Sequence, residues 1–161
     1  MRPAPGGAGR GDRIAVMVLT SLAGVIGALD VGRLHWSDTV RPPVQLAALL
    51  AYAAGIGFLI WAMAVNEFFS PIIRVQAELG HRLVTTGPYG LVRHPGYLGM
   101  IVGYGASGLA LGSWTAFALS FATAILVLRR AVLEDRYLQQ HMPGYGEYSR
   151  RVPYRLVPGV W

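Results

Sequence analysis

The stretch HRLVTTGPYGLVRHPGYLG, His81–Gly99, sets polar, ring-bearing and turn-forming residues directly against a long apolar run. Gly87-Pro88 marks a turn, and Pro95 disfavours helical dihedrals at His94. The backbone is therefore expected to be irregular until Pro95 opens a helix at its first position. Side chains of the irregular part can converge, and a helix start leaves unpaired N–H groups and a partial positive charge that suit a ligand carboxylate or phosphate. Two roles are open here for Arg93 and His94. They form part of an active-site wall, or they anchor a membrane helix at the headgroup level, as cationic and aromatic residues do.

Composition around this stretch decides the class. A chain of 161 residues allows one domain, and 53% hydrophobic against 14% charged residues is the composition of a membrane protein. Cysteine is absent, which removes disulfides, thiolate metal sites and a thiol nucleophile. The formal charge of +6 comes with fourteen arginines and no lysine. The arginines stand at the ends of apolar runs, where they meet anionic headgroups and set topology, so a nucleic-acid partner is not expected. His35, His81, His94 and His141 are scattered, and no metal centre is expected from them.

Met1–Arg13 is rich in Gly, Pro and Arg without hydrophobic periodicity and is expected to be a flexible basic tail. Ile14–Leu34 is the first span, with Asp30 and Arg33 near its far end expected to snorkel or to pair with each other. His35 and Asp38 in the short outer loop are expected to be solvated. Val44–Val65 supplies 22 residues broken only by Gln45, matching the roughly 20 needed to cross the hydrocarbon. Asn66, Glu67, Phe68 and Phe69 bring the chain out at the inner face.

Pro95–Leu128 is apolar over about thirty residues, sized for two short or tilted helices that turn at Gly112-Ser113. The last helix should continue through RRAVLEDRYLQQH into water and stop at Pro143-Gly144. The aromatic tail Tyr145–Trp161 is expected to fold back over the site or along the interface. Three arginines precede the first span, two lie at or in the outer loop and nine lie inward, so the positive-inside bias favours about four transmembrane helices with both ends cytoplasmic. The expected architecture is an all-α integral membrane bundle. It has a tail (1–13), two N-terminal transmembrane helices (14–65), and a half (66–161) made of an inner loop, a helical hairpin and a cytosolic cap.

Gly103-Tyr104-Gly105-Ala106-Ser107-Gly108 fits G-x-G-x-x-G, but no strand precedes it, no βαβ unit can surround it and no acidic residue follows until Glu134. A dinucleotide-binding loop is therefore rejected. Gly99, Gly103 and Ser107 at four-residue spacing, with Gly108 and Gly112, instead make small faces for close helix packing in lipid. Arg130 and Glu134 are also four apart and share a helix face with Tyr137 and His141. Alone they are a solvated pair worth a few tenths of a kcal/mol. A hairpin with a returning helix would bring them to the same inner surface as His94.

The ordered set GPYGLVRHPGYLG, about thirty apolar residues, R-x-x-x-E-D-x-x-L, then GY-x-x-Y-x-x-x-VP and a final Pro, resembles the isoprenylcysteine carboxyl methyltransferase family and its bacterial relatives over roughly His81–Pro158. The resemblance implies that residues 66–161 cradle S-adenosylmethionine, with S-adenosylhomocysteine as product, at the cytosolic face beneath a membrane-facing opening for a lipophilic or lipid-linked acceptor. It implies that His81, Leu83, Val84, Tyr89, His94, Pro95, Gly96, Tyr97 and Glu134 line the cofactor. Arg130 would orient the acceptor, with Arg93 and Glu134 completing the catalytic set. Glu134-Asp135 stands where the family commonly has paired glutamates, and only two spans precede the signature. A sulfonium methyl is already electrophilic, so a carboxylate acceptor needs no base; an amine or thiol would turn to His94, His141 or Glu134. The alternatives are an NADPH-dependent membrane reductase of the sterol-reductase type and a non-catalytic small membrane protein or transporter.

Overall fold

Prolines and one serine set where the helices begin. Arg41 and His94 are non-helical, and the Pro42 and Pro95 that follow them occupy first helical positions, where a missing N–H costs nothing. Ser113 caps the next helix, its Oγ accepting from the Ala116 N–H at 3.0 Å. The structure, a computed structural model, describes residues 8–37, 39–69 and 82–161. Its regular elements there are all helical: α1 (Ala8–Leu29) running into a π-helical turn (Asp30–Leu34), α2 (Pro42–Val65), a 3-10 turn (Gly87–Gly90), α3 (Pro95–Ala110), α4 (Trp114–His141) and α5 (Tyr145–Arg151).

Among the described residues three helices are long and apolar enough to cross a membrane, at Gly11–Leu34, Pro42–Val65 and Trp114–His141. The expected count was about four. The difference lies in α3, whose 16 residues rise about 24 Å against a hydrocarbon core of about 30 Å. The α3–α4 hairpin turns where expected, through Leu111–Ser113. Gly112 has φ 83° there, and a Cβ on it would meet Gln45 Nε2 at 2.7 Å. α2 is apolar on every side, and Leu46, Leu50 and Ile60 remain exposed in the protein alone, as lipid-facing residues do.

α3 lies between α2 and α4, while α1 packs along α4 and hardly touches α3. The α2–α3 seam is a backbone contact made possible by missing side chains. A Cβ on Gly99 would sit 2.6 Å from Gly55 O and 2.7 Å from Leu59 N, and one on Gly55 would sit 2.5 Å from Gly103 N. Close approach of this kind replaces the hydrophobic drive that lipid abolishes.

Two expectations are corrected here. α1 begins at Ala8 and takes up part of the segment expected to be a tail, because the Asp12 carboxylate accepts from Arg129 Nη1 on α4. Asp30 neither snorkels nor pairs with Arg33. It is fully buried, and its Oδ2 accepts from Ser37 Oγ and Ser113 Oγ at 2.5 Å each and from Thr115 Oγ1 at 2.8 Å. Ser37 Oγ in turn accepts from the Trp114 N–H, so the carboxylate serves the N-terminus of α4, where negative charge is favoured. His35 is exposed, as expected; Asp38 lies outside the described residues.

Gly99→Leu should destabilise the protein by at least about 3 kcal/mol, because the clash is with backbone on both sides. Gly57→Leu, where an added Cβ meets nothing within 4 Å, should leave stability within about 0.5 kcal/mol. Equilibrium unfolding in mixed detergent micelles compares the two directly.

Candidate functional site

The residues before Pro95 cannot give their N–H groups to a helix, and the chain supplies another partner. Arg93 N donates to Tyr154 O at 3.0 Å and His94 N to Arg155 O at 2.9 Å, so the C-terminal strap after α5 runs alongside the Arg93-His94 turn. The Arg93 guanidinium secures the same strap, its Nη1 donating to Pro153 O at 2.8 Å and Val152 O at 3.0 Å. Beneath it, Leu83 and Leu138 pack on Met142, Tyr145, Tyr148 and Val152.

Asp135 of α4 is the centre of this arrangement. Its Oδ1 accepts from Arg93 Nε at 2.9 Å and Tyr145 OH at 2.8 Å and lies 3.1 Å from His94 Nε2; its Oδ2 accepts from Arg155 Nε at 2.8 Å. Asp135, Arg93 and His94 are each less than a tenth exposed. Arg155 is covered on its other side by Trp161, whose ring centre lies 5.2 Å from the guanidinium carbon.

One residue earlier on α4, Glu134 points to the other side. Its Oε2 accepts from Tyr97 OH at 2.7 Å, and Arg130 reaches the same hydroxyl. The face shared by Arg130 and Glu134 thus meets the start of α3. Between these groups lies a cavity of about 270 Å³. Arg93, His94, Pro95, Gly96 and Tyr97 line it from the Arg93-His94 turn and the first turn of α3, and Arg130 and Glu134 line it from α4. Leu83, Val84 and Tyr89 line it from the segment before. Of the residues expected to line the cofactor or to act on the acceptor, only His81 is unaccounted for, lying outside the described residues. His141 is exposed, stacked on Tyr137 and bonded to the Tyr137 carbonyl, and it does not line the cavity.

Several lining residues escaped the sequence reading. Tyr145 and Tyr148, three apart in α5, close the inner end; Phe68 and Phe69 close a side; Met100, Tyr104 and Val127 carry the cavity toward the apolar part of the bundle. Asn66 donates from Nδ2 to Tyr89 OH at 3.0 Å, and Tyr148 OH donates to Tyr89 O at 2.7 Å. Burial pushes the Tyr89 phenol up to about 12, outweighing the Asn66 hydrogen bond that lowers it. Burial, reinforced by the Asp135 carboxylate, likewise raises the Tyr145 phenol, so both are neutral hydroxyls at physiological pH. GY-x-x-Y was visible in the sequence, but nothing local to it says that both rings turn inward.

Residues 47–140 match the isoprenylcysteine carboxyl methyltransferase (ICMT) family. Over 90 residues the chain is 39% identical to a Delta(14)-sterol reductase of Mus musculus, which covers 54% of this chain and 22% of that protein. Over 133 residues it is 32% identical to the cobalt-zinc-cadmium resistance protein CzcN of Cupriavidus metallidurans, covering 80% and 56%. Over 93 residues it is 32% identical to protein-S-isoprenylcysteine O-methyltransferase B of Arabidopsis thaliana, covering 56% and 47%. The chain therefore spans about half the length, or less, of these curated relatives. It belongs to the ICMT family.

Replacing Asp135 by alanine leaves the buried Arg93 and the half-covered Arg155 without their shared anion and should cost about 3–5 kcal/mol. Arg155→Met, at a side chain one-third exposed, should cost clearly less. Denaturant unfolding followed by tyrosine and tryptophan fluorescence measures both.

Proposed function

We propose, from membership of the ICMT family and the form of this cavity, that the chain is an integral-membrane methyltransferase. It uses S-adenosylmethionine and methylates a carboxylate of a small lipophilic or lipid-linked acceptor. The observation that carries the reading is the joining of the two signature segments around one cavity, by Tyr97 to Glu134 and by His94 to Asp135. The excess of arginines on the inward segments supports a cavity at the cytoplasmic face.

The residues present suit the cofactor. The rings of Phe69, Tyr89, Tyr97, Tyr145 and Tyr148 surround the space, and aromatic faces attract a cation such as a sulfonium. Gly96 lets the Phe69 ring close on the start of α3, where a Cβ would approach Phe69 Cε2 to 2.6 Å. The first-turn N–H groups at Gly96 and Tyr97 have no partner within the helix and suit a carboxylate. When bound, the cofactor supplies an electrophilic methyl.

The chain supplies position and dryness. Tyr97 fixes the Glu134 carboxylate, which would offer its negative charge to a cationic part of the cofactor. Arg130, nearly buried, offers a charge-assisted grip on an acceptor carboxylate. Phe68, Phe69, Met100 and Val127 keep water from the reacting atoms. Arg93 is a positioning residue, since Asp135 and the strap carbonyls occupy its guanidinium. A carboxylate acceptor arrives as an anion and needs no base from the chain.

A second reading, an NADPH-dependent reductase, is favoured by the 39% identity to a sterol reductase. Titration of the purified protein separates the two. S-adenosylhomocysteine at about 100 times its Kd should stabilise the fold by about 2.7 kcal/mol, and NADPH should not; stabilisation by NADPH alone would reverse the assignment. Glu134→Gln and Tyr97→Phe should each weaken S-adenosylhomocysteine binding about tenfold, whereas Arg130→Ala should leave it unchanged and lower kcat/KM for the acceptor about a hundredfold.

A further inference from the structure

α1 reaches the cavity with one face only, through Arg13, Val16 and Met17. Spacings of three and four place them on one side of the helix. Two contacts fix how α1 runs along α4. Asp12 is bonded to Arg129 at one end, and a Cβ on Gly27 would meet Ala116 Cβ at 3.1 Å at the other. The helices are thus antiparallel, and Arg13 lies level with Arg130. Glu134 lies a further turn inward, about 6 Å along the axis.

The remaining charges of the cavity have work already. Arg93 is paired with Asp135, Glu134 holds Tyr97, and Arg130 reaches the Tyr97 hydroxyl. Arg13 is half-buried, lines the cavity and makes no ion pair or hydrogen bond with any described residue. Its neighbour Asp12 is spent on Arg129, so the pair that pins α1 does not neutralise it.

We propose that Arg13 holds the anionic group of the acceptor, opposite Arg130, and so selects amphiphiles that carry one negative charge beside an apolar chain. Val16 and Met17 continue the same face outward and meet the apolar part, beside Met100, Tyr104 and Val127. The cofactor's own carboxylate is left to the first turn of α3, on the inner side. A headgroup role at the membrane surface would not need a side chain that lines the cavity. This assignment rests on the methyltransferase reading above.

The test uses the full chain in phosphatidylcholine nanodiscs, saturated with S-adenosylhomocysteine, and calorimetric titration with N-acetyl-S-geranylcysteine and its methyl ester. The wild type should bind the acid about tenfold more tightly than the ester. Arg13→Gln should cut that preference at least threefold, leaving the part that Arg130 supplies, with S-adenosylhomocysteine affinity and melting temperature unchanged, and Arg13→Lys should restore part of it. No preference in the wild type, or a preference unchanged in Arg13→Gln, overturns the proposal. A loss of S-adenosylhomocysteine affinity in Arg13→Gln also overturns it, by assigning Arg13 to the cofactor. Failure of the wild type to bind S-adenosylhomocysteine overturns the methyltransferase reading instead, and the acid-to-ester ratio of the cofactor-free chain then judges Arg13 separately.

Discussion

A buried carboxylate needs several donors to offset what it loses in leaving water, and in this chain that need organises the C-terminal half. Asp135 gathers Arg93, His94, Tyr145 and Arg155, which come from the turn before α3, from α5 and from the strap. Each donor lies on a segment too short or too irregular to hold its own place. α5 has 7 residues, and the Arg93-His94 turn is barred from helix by Pro95. The shared anion makes their positions interdependent. The cavity wall they form is therefore a consequence of one ionic centre more than of any regular packing.

The same helix is fixed at its other end by the same kind of device. Asp30 lies at the N-terminus of α4, bonded by Ser37, Ser113 and Thr115, while Asp135 lies near its C-terminus. The first pins the π-helical turn after α1 to the hairpin, and the second pins the strap and the signature turn. Between them, α3 is held against α2 through glycines and against α4 through the Ser107–Ser120 hydroxyl pair at 2.9 Å. Position along α4 thus sets the depth of every lining residue. Arg130 and Glu134 can take different roles only because they sit one turn apart on an axis fixed at both ends.

What could be read from the sequence were the features ruled by neighbours. The proline rule gave the start of α3, Gly112-Ser113 gave the hairpin turn, and helical spacing put Arg130 and Glu134 on one face. What could not be read depends on residues far away in the chain. Asp30 finds two of its three partners 83 and 85 residues on, so pairing with nearby Arg33 was the natural but mistaken expectation. Asp12 finds Arg129 across 117 residues, which draws into α1 a segment whose composition favours a tail. Glu134 and Asp135 look interchangeable in sequence. About 100° of helical rotation turns one to the cavity and the other to the strap, and only the packing of α5 shows which is which.

The charge balance of the cavity bears on what it can accept. Asp135 is shared by two guanidinium groups, Glu134 is engaged by Tyr97, and Arg13 and Arg130 add two further cations on facing helices. A space so lined favours ligands with negative charge, and its screening is weak because much of the wall is aromatic or aliphatic. An anionic acceptor, as proposed, would meet the arginines directly and need no base. Charge complementarity is thus the physical ground on which the proposed acceptor rests, an anionic group on an apolar body meeting cations at one end of the cavity and aliphatic and aromatic side chains at the other.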